Sequence, residues 1–352
     1  MRTYNVAVVG ALGLVGTTMI QILEEYGFPV GELRLLEKRE LAGAPVKFRD
    51  QVLTTIEATP ETFEGIDIAL FATEEDASRQ LVPEAVRRGA VAIDNSRAYR
   101  LDPDVPLVVP EVNPEDLAWH PGVIANPNCT TIATIVVLKP IHDLSPIQRL
   151  VASTYQSTSG GAVRGMLELR KQAMDVAAGF PATPPQAFKY QIAFNLIPFI
   201  DVFEGDGYTR EEWKMIHETR KMLHVPDMRI TDTAVRVPTF VCHAVSCNIE
   251  TRDKVTPQQA REALAKAPGL RVVDDVENLR FPQPIEVAGG NLTHVGRIRE
   301  DFSIANGLNL WLVSDNVRKG AAQNAVQIAQ ALIERGDLER WRKGRTASVA
   351  VG

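Results

Sequence analysis

Cysteine is scarce in this 352-residue sequence, which has only Cys129, Cys242 and Cys247. Three cysteines exclude a disulfide framework and suit a reducing compartment, so the cytoplasm is the expected location. Long apolar runs are missing too. None approaches the roughly 20 residues that cross a bilayer, so no membrane partner is expected. The opening Met1-Arg2-Thr3-Tyr4-Asn5 leads directly into a strand pattern, without the marks of a signal peptide. Positive charge is not in excess: Lys and Arg number 38 against 44 Asp and Glu. A net charge of −6 gives no electrostatic basis for binding nucleic acid. Cys242-His243 with Cys247 lacks a fourth ligand and alternates like a strand, so no metal is expected. Internal repeats are absent, and only the tail after Lys343 reads as disordered.

The chain is 45% apolar and 23% charged, an ordinary globular composition, and its length calls for two domains. A strand over residues 6–9 runs into Gly10-Ala11-Leu12-Gly13-Leu14-Val15-Gly16. An apolar helical stretch over 19–23 and a strand over 32–36 follow. Strand, glycine loop, helix and strand in that order form the dinucleotide-binding βαβ pattern, although the glycines are spaced G-x-x-G-x-x-G. Buried strands over 66–71, 90–93 and 107–109, with a helix over 76–88, extend it into a parallel sheet. Later the pattern changes. Helices over 131–141, 162–177 and 210–223 are expected, with a further helix opening at Thr256-Pro257. Strands are expected over 149–155, 229–236, 241–251, 294–299 and 308–314. This predicts a second, α+β domain on a mixed or antiparallel sheet. An amphipathic helix over 319–335 is expected to return to the first domain.

Between the two patterns stands Asn126-Pro127-Asn128-Cys129-Thr130-Thr131. Proline stops the preceding apolar run, and the threonines start a helix. Cys129 is then placed at a helix N-terminus, where the macrodipole favours an anion and a thiol gains thiolate character. An isolated Cys is more often a small buried core residue. By itself His243 is more simply a structural histidine on a strand, and Gln156 a loop amide. Glu211 and Lys214, one helical turn apart, read alone as an ordinary surface ion pair.

Taken together, these segments resemble one family. Asn126–Thr131, Thr154-Tyr155-Gln156-Ser157-Thr158-Ser159-Gly160, Glu211-Glu212-Trp213-Lys214 and the run from Arg236 to His243 have the order and spacing of aspartate-β-semialdehyde dehydrogenases. The runs from Asp94 to Arg100, Val109 to Asn113 and Lys319 to Ala322 fit as well. The resemblance spans about residues 6–332. It implies an α/β protein with an N-terminal Rossmann-like dinucleotide-binding domain (1–129 with 320–352) and an α+β catalytic and dimerisation domain (130–319). The implied reaction is reversible, NADPH-dependent reductive dephosphorylation of L-aspartyl 4-phosphate to the semialdehyde, through a cysteine thioester, in amino-acid biosynthesis.

By resemblance, Cys129 is the nucleophile, His243 the general acid/base and Gln156 the residue that orients the intermediate. Arg236 matches the ligand of the substrate carboxylate and Glu211 the partner of its ammonium. Lys214, Arg100 and Asn128 match ligands of inorganic phosphate. Gly10, Ala11, Gly13, Leu14, Val15, Glu37, Arg39, Ser159, Gly160 and Asn316 are the implied cofactor residues. The expected assembly is a homodimer, with a tetramer as the alternative.

Departures from the family concentrate at the cofactor. Leu12 replaces a threonine in the first loop, Glu37-Lys38-Arg39-Glu40 replaces a Ser/Arg-rich stretch, and Ala72-Thr73-Glu74-Glu75 replaces a small-residue turn. An acid at Glu37 would accept from a ribose 2′-OH and repel a 2′-phosphate, while Arg39 pulls the other way. NADP with some use of NAD is the expectation. Two other readings stay open. One is a relative acting on N-acetylglutamyl phosphate or malonyl-CoA, which Glu211 disfavours because neither substrate carries a free α-ammonium. The other is a catalytically silent paralogue acting as a binding protein, which the combined presence of Cys129, Gln156, Arg236 and His243 disfavours.

Overall fold

The structure, a computed structural model, describes residues 2–351, with side chains described through residue 345. The chain divides into two compact units: Met1–Asn128 with Ala321–Gly352, and Cys129–Gly320.

The first unit begins with β1 (Tyr4–Val9), α1 (Leu14–Glu25) and β2 (Val30–Glu37). A small hairpin of β3 (Pro45–Phe48) and β4 (Gln51–Thr54) precedes β5 (Ile56–Glu57). Then come β6 (Ile68–Phe71), α2 (Glu75–Arg87), β7 (Val91–Asp94) and β8 (Val123–Ala125). The sheet order is β5-β2-β1-β6-β7-β8, and every pairing is parallel. Its central strands are continuously apolar because both faces are covered; all four residues of β6 are buried. The strand expected over 107–109 does not form. Leu107 makes a single bridge to Ala125, and the flanking prolines at 106 and 110 cannot donate to a longer ladder.

The second unit opens with α3 (Cys129–Leu144), β9 (Ile147–Gln156), α4 (Ala162–Ala177) and α5 (Arg210–Leu223). It continues through β10 (Arg229–Arg236), β11 (His243–Thr251), α6 (Pro257–Lys266), β12 (Leu270–Val272), α7 (Pro284–Val287), β13 (Thr293–Asp301) and β14 (Gly307–Ser314). The sheet is mixed, in the order β10-β9-β11-β14-β13-β12. The strand expected from residue 241 starts only at His243, because Cys242 holds φ at 74°, outside strand geometry.

The chain then returns to the first unit. A π-helical turn, Arg318–Ala322, replaces the regular start expected for the last helix and leads into α8 (Gln323–Glu334). The buried face of α8, with Ala325, Val326, Ile328, Ala329 and Leu332, shares a core with Val6, Val8, Met19 and Leu23. The tail expected to be disordered after Lys343 belongs to α9 (Asp337–Val351). Its anchors are long-range: Trp341 packs on the His120 ring, Arg342 pairs with Asp67, and Arg345 donates to the carbonyls of Val86 and Arg87. Among the described residues, no helix is long and apolar enough to cross a membrane.

Candidate active site

Cys129 is the first residue of α3 and is half-buried, whereas Cys242 and Cys247 are buried. Burial raises the pKa of both buried thiols well above the usual thiol value, which leaves them protonated and inert. Gly320 makes the approach to Cys129 possible: a Cβ there would lie 3.1 Å from that of Cys129.

Around Cys129 the unit's sheet and α5 deliver polar side chains from strand ends. Gln156 ends β9, Arg236 ends β10 and His243 begins β11, all buried. Register places Arg236 opposite Gln156, and Ala244, next to His243, opposite Tyr155. Glu211 stands in the first turn of α5, a helix opened by Thr209 and Glu212 as a capping box. Glu212 also accepts from the Ala234 N–H at 3.0 Å, which ties the helix start to β10.

These groups are hydrogen-bonded in two sets, one on the Glu211 carboxylate and one on the Ser157 backbone. Gln156 Nε2 donates to Glu211 Oε1 at 3.1 Å, and Lys214 Nζ to Glu211 Oε2 at 2.8 Å and Asp201 Oδ2 at 3.2 Å. The Glu211–Lys214 pair is therefore not a solvated surface pair. Arg236 Nη1 donates to the Ser157 carbonyl at 2.7 Å. Burial lowers the pKa of this guanidinium, and the charges of Glu211 and Cys129 oppose that shift. His243 is fully buried, and burial followed by the Arg236 charge pushes its pKa down to about 3. Its Nδ1 accepts from the Ser157 backbone N–H at 3.0 Å.

Asn316 and Ser159, expected at the cofactor, bind each other at 2.9 Å within this unit, and Asn316 Oδ1 also accepts from the Cys242 N–H at 3.1 Å. Gly160 leaves room for Arg236, whose Nη1 an added Cβ would overlap. Three groups escaped sequence reasoning here. Ser157 lies inside a recognised motif but without a side-chain signal. Asp201 sits in irregular chain. Asp232 is a buried acid on β10, and burial with the charges of Glu211 and Glu212 raises its pKa well above the usual value.

The first unit holds Arg100, Asn128 and the glycine-loop residues. Arg100 is buried, with Nη2 on the Asn95 carbonyl at 2.7 Å. Asn128 is buried and is the last residue before α3. Gly10 adopts φ 80°, and a Cβ there would lie 2.6 Å from the Ala72 oxygen, so the turn requires glycine. Gly13 caps α1 without a side-chain bond, and no acid occupies the first turn, so the helix N-terminus suits a pyrophosphate. Leu14 and Val15 begin that helix, and Ala11 is buried beneath the loop. A cavity of about 770 Å³ is lined by Gly10, Gly13, Glu37, Lys38, Arg39 and Glu57, among others. That volume and those donors fit a nicotinamide dinucleotide's adenosine end. Glu37 is buried, and its Oε1 accepts from the Leu12 N–H at 2.7 Å and its Oε2 from the Lys38 N–H at 3.2 Å. Among the described residues no group of three His, Cys, Asp or Glu gathers as a metal would require.

Comparison with known proteins gives these sites a family context. The pattern described as "Semialdehyde dehydrogenase, NAD binding domain" matches residues 5–120, and "Semialdehyde dehydrogenase, dimerisation domain" matches residues 138–319. The aspartate-semialdehyde dehydrogenase of Aquifex aeolicus is 47% identical, over 95% of this chain and 99% of its own. That of Bacillus subtilis is 46% identical, over 94% and 98%. The crystal structure of Vibrio cholerae aspartate semialdehyde dehydrogenase II, complexed with ASA, superposes with a TM-score of 0.92 at 42% identity. It covers 95% of this chain and 99% of that one.

Proposed function

This chain belongs to the aspartate-semialdehyde dehydrogenase family and has its oxidoreductase activity, and from that premise we infer that Cys129 carries the covalent chemistry. Its thiolate adds to the acyl carbon of L-aspartyl 4-phosphate, the C–O bond to phosphate breaks, and inorganic phosphate leaves a thioester on Cys129. NADPH, when bound, supplies the hydride that reduces this thioester. Collapse of the resulting alkoxide breaks the C–S bond, releases the semialdehyde and restores the thiolate. Dividing the reduction this way replaces one hard step by two easier ones.

Arg236 grips the substrate α-carboxylate, for which a guanidinium offers paired donors. Glu211 takes the α-ammonium, and Gln156, already bonded to Glu211, orients the acyl group. Lys214, Arg100 and Asn128 receive the phosphate, Lys214 by exchanging its ion pairs for it. His243 serves the reacting carbonyl. One observation carries this assignment: Cys129 alone of the three thiols is accessible, and it begins a helix within the field of a buried arginine.

The cofactor is assigned as NADP, with NAD also turned over. Glu37 is committed to the Leu12 and Lys38 amides, so its carboxylate is turned onto the glycine loop, and Arg39 is on the cavity wall to meet a 2′-phosphate. Gly10 and Gly13 with the first turn of α1 cradle the pyrophosphate. Ser159, Gly160 and Asn316 would serve its nicotinamide end. The working form is assigned as a cytoplasmic homodimer.

The test is phosphate-dependent reduction of NADP by L-aspartate 4-semialdehyde, beside N-acetylglutamate semialdehyde and malonate semialdehyde. Turnover of the first alone is expected, and its loss in Cys129→Ala with dinucleotide binding retained. Full activity in that variant would remove Cys129 from the mechanism.

A further inference from the structure

Beside the phosphate ligands of the first unit runs a row of three asparagines that the reaction itself does not use. We propose that Asn95, Asn126 and Asn324 are positioning residues, whose side-chain amides form one directional chain that sets Arg100 and Asn128 for phosphate. The proposal rests on Arg100 and Asn128 as phosphate ligands.

The chain crosses the carboxyl ends of three neighbouring strands, where open parallel sheets place their ligands. Phe71 ends β6, Asp94 ends β7 and Ala125 ends β8, so Asn95 and Asn126 each follow a strand directly. Asn324 is the second residue of α8. Its Nδ2 donates to Asn126 Oδ1 at 2.7 Å and to the Val108 carbonyl at 3.0 Å. Asn126 Nδ2 donates in turn to Asn95 Oδ1 and, at 3.3 Å, to the Ala321 carbonyl. Asn95 Nδ2 ends the chain on the Phe71 carbonyl at 2.8 Å.

Every link runs in the same sense, from an NH2 to an oxygen. Backbone carbonyls can only accept, and each of the three amides meets one, at Val108, Ala321 or Phe71. These carbonyls fix which end of each side chain is the NH2. A carboxylate at position 126 would turn bare oxygen toward the Asn95 and Ala321 oxygens. An aliphatic side chain there would take away the donor of Asn95 Oδ1. Asn126 and Asn324 are buried, so bulk water does not replace a lost link.

The chain reaches the ligands through the backbone. Asn95 gives the Phe71 carbonyl both its backbone N–H, at 3.1 Å, and its side-chain NH2, which fixes the peptide on either side of it. The carbonyl of Asn95 then receives Arg100 Nη2 at 2.7 Å. The Asn126 N–H is bound to the Asp94 carbonyl at 2.8 Å. Only Pro127, whose ring locks φ, separates Asn126 from the buried Asn128. Held by both backbone and side chain, Asn126 decides where Asn128 begins. The whole device is uncharged, so it orients an arginine and an amide without setting a fixed carboxylate against phosphate.

The test uses the full-length protein in the oxidative direction, with L-aspartate 4-semialdehyde, NADP and varied phosphate. Asn324→Ala breaks the chain at a residue assigned no contact with any reactant. Its kcat/KM for phosphate is expected to fall about five- to tenfold, as for one buried hydrogen bond, with kcat/KM for semialdehyde and NADP changed less than about twofold. Equal losses for all three reactants would make the asparagines merely structural and overturn the proposal. Asn95→Ala should show the same selectivity. Combining the two substitutions should cost less than about twofold beyond the worse single variant, because one break already releases Asn126. Losses that multiply would mean independent contacts and overturn the chain. Should Asn324→Ala fail to fold, Asn324→Ser, which keeps one donor, carries the same comparison. Arg100→Ala separates the premise from the proposal. An unchanged kcat/KM for phosphate in that variant removes the phosphate assignment itself. A loss in Arg100→Ala with none in Asn324→Ala overturns the asparagine chain alone.

Discussion

A single methyl group at position 160 would collide with the guanidinium of Arg236. Gly160→Ala is therefore expected to raise the KM for aspartate semialdehyde about tenfold or more, with a smaller effect on kcat, because a displaced clamp weakens positioning before chemistry. Steady-state kinetics with varied semialdehyde measure it, and an unchanged KM would mean that Arg236 does not hold the substrate. Glu37 sets a second expectation. Glu37→Ser should raise the NADP/NAD ratio of kcat/KM and lower the melting temperature, since the Leu12 amide loses its acceptor, whereas Arg39→Ala should lower the ratio. Identical ratios in both variants would place cofactor discrimination elsewhere. At this scale the sequence reveals residue types and spacing but not direction. The position of Glu37 after the second strand was readable. That its carboxylate turns back to Leu12 was not, because the partner lies 25 residues upstream and the bond depends on the folded loop. Glu211 and Lys214 were legible as neighbours on one helix face, while their burial needs Gln156 and Asp201 from separate segments.

Elements were legible where a local rule decided them. The helix expected over 210–223 and the one expected to open at Thr256-Pro257 both form, and each starts with a capping box, Thr209 with Glu212 and Thr256 with Gln259. The Asn-Pro-Asn turn fixed the start of α3 within two residues of where it begins. Helix α9 was missed because tertiary partners such as Asp67 and His120 hold it, and its own periodicity is poor. The strand over 107–109 was overestimated because an apolar triplet satisfies burial without needing a ladder. Strain is visible at the start of α4, where Ala162 has φ 55° and ψ −158°, a region that normally belongs to glycine. Ala162→Gly should stabilise the protein by about 1 kcal/mol if the backbone keeps this conformation. Thermal unfolding would register it as a higher Tm, and a lower Tm would show that the helix start relaxes.

Across the whole molecule, buried neutral histidines contribute to the acid limb of stability. Burial pushes His120 down to about 4 and His243 to about 3, so the unfolded chain binds protons first as the pH falls. Stability is then full above an unfolded pKa of about 6.5 and declines below it toward those values. His120→Asn, which can keep an acceptor for the Gly122 N–H, should narrow the difference in Tm between pH 7 and pH 5. An unaltered difference would assign the acid limb to other groups. The split first unit has a consequence during synthesis. Its parallel sheet has left the ribosome by residue 128, yet α8, which completes its core, is among the last segments made. Roughly 190 residues of the other unit emerge in between, on the order of 10–40 s at ordinary elongation rates. The middle of the gene therefore matures first, and the nascent nucleotide-binding sheet waits with an uncovered apolar face, the interval in which a chaperone or a premature stop would decide its fate.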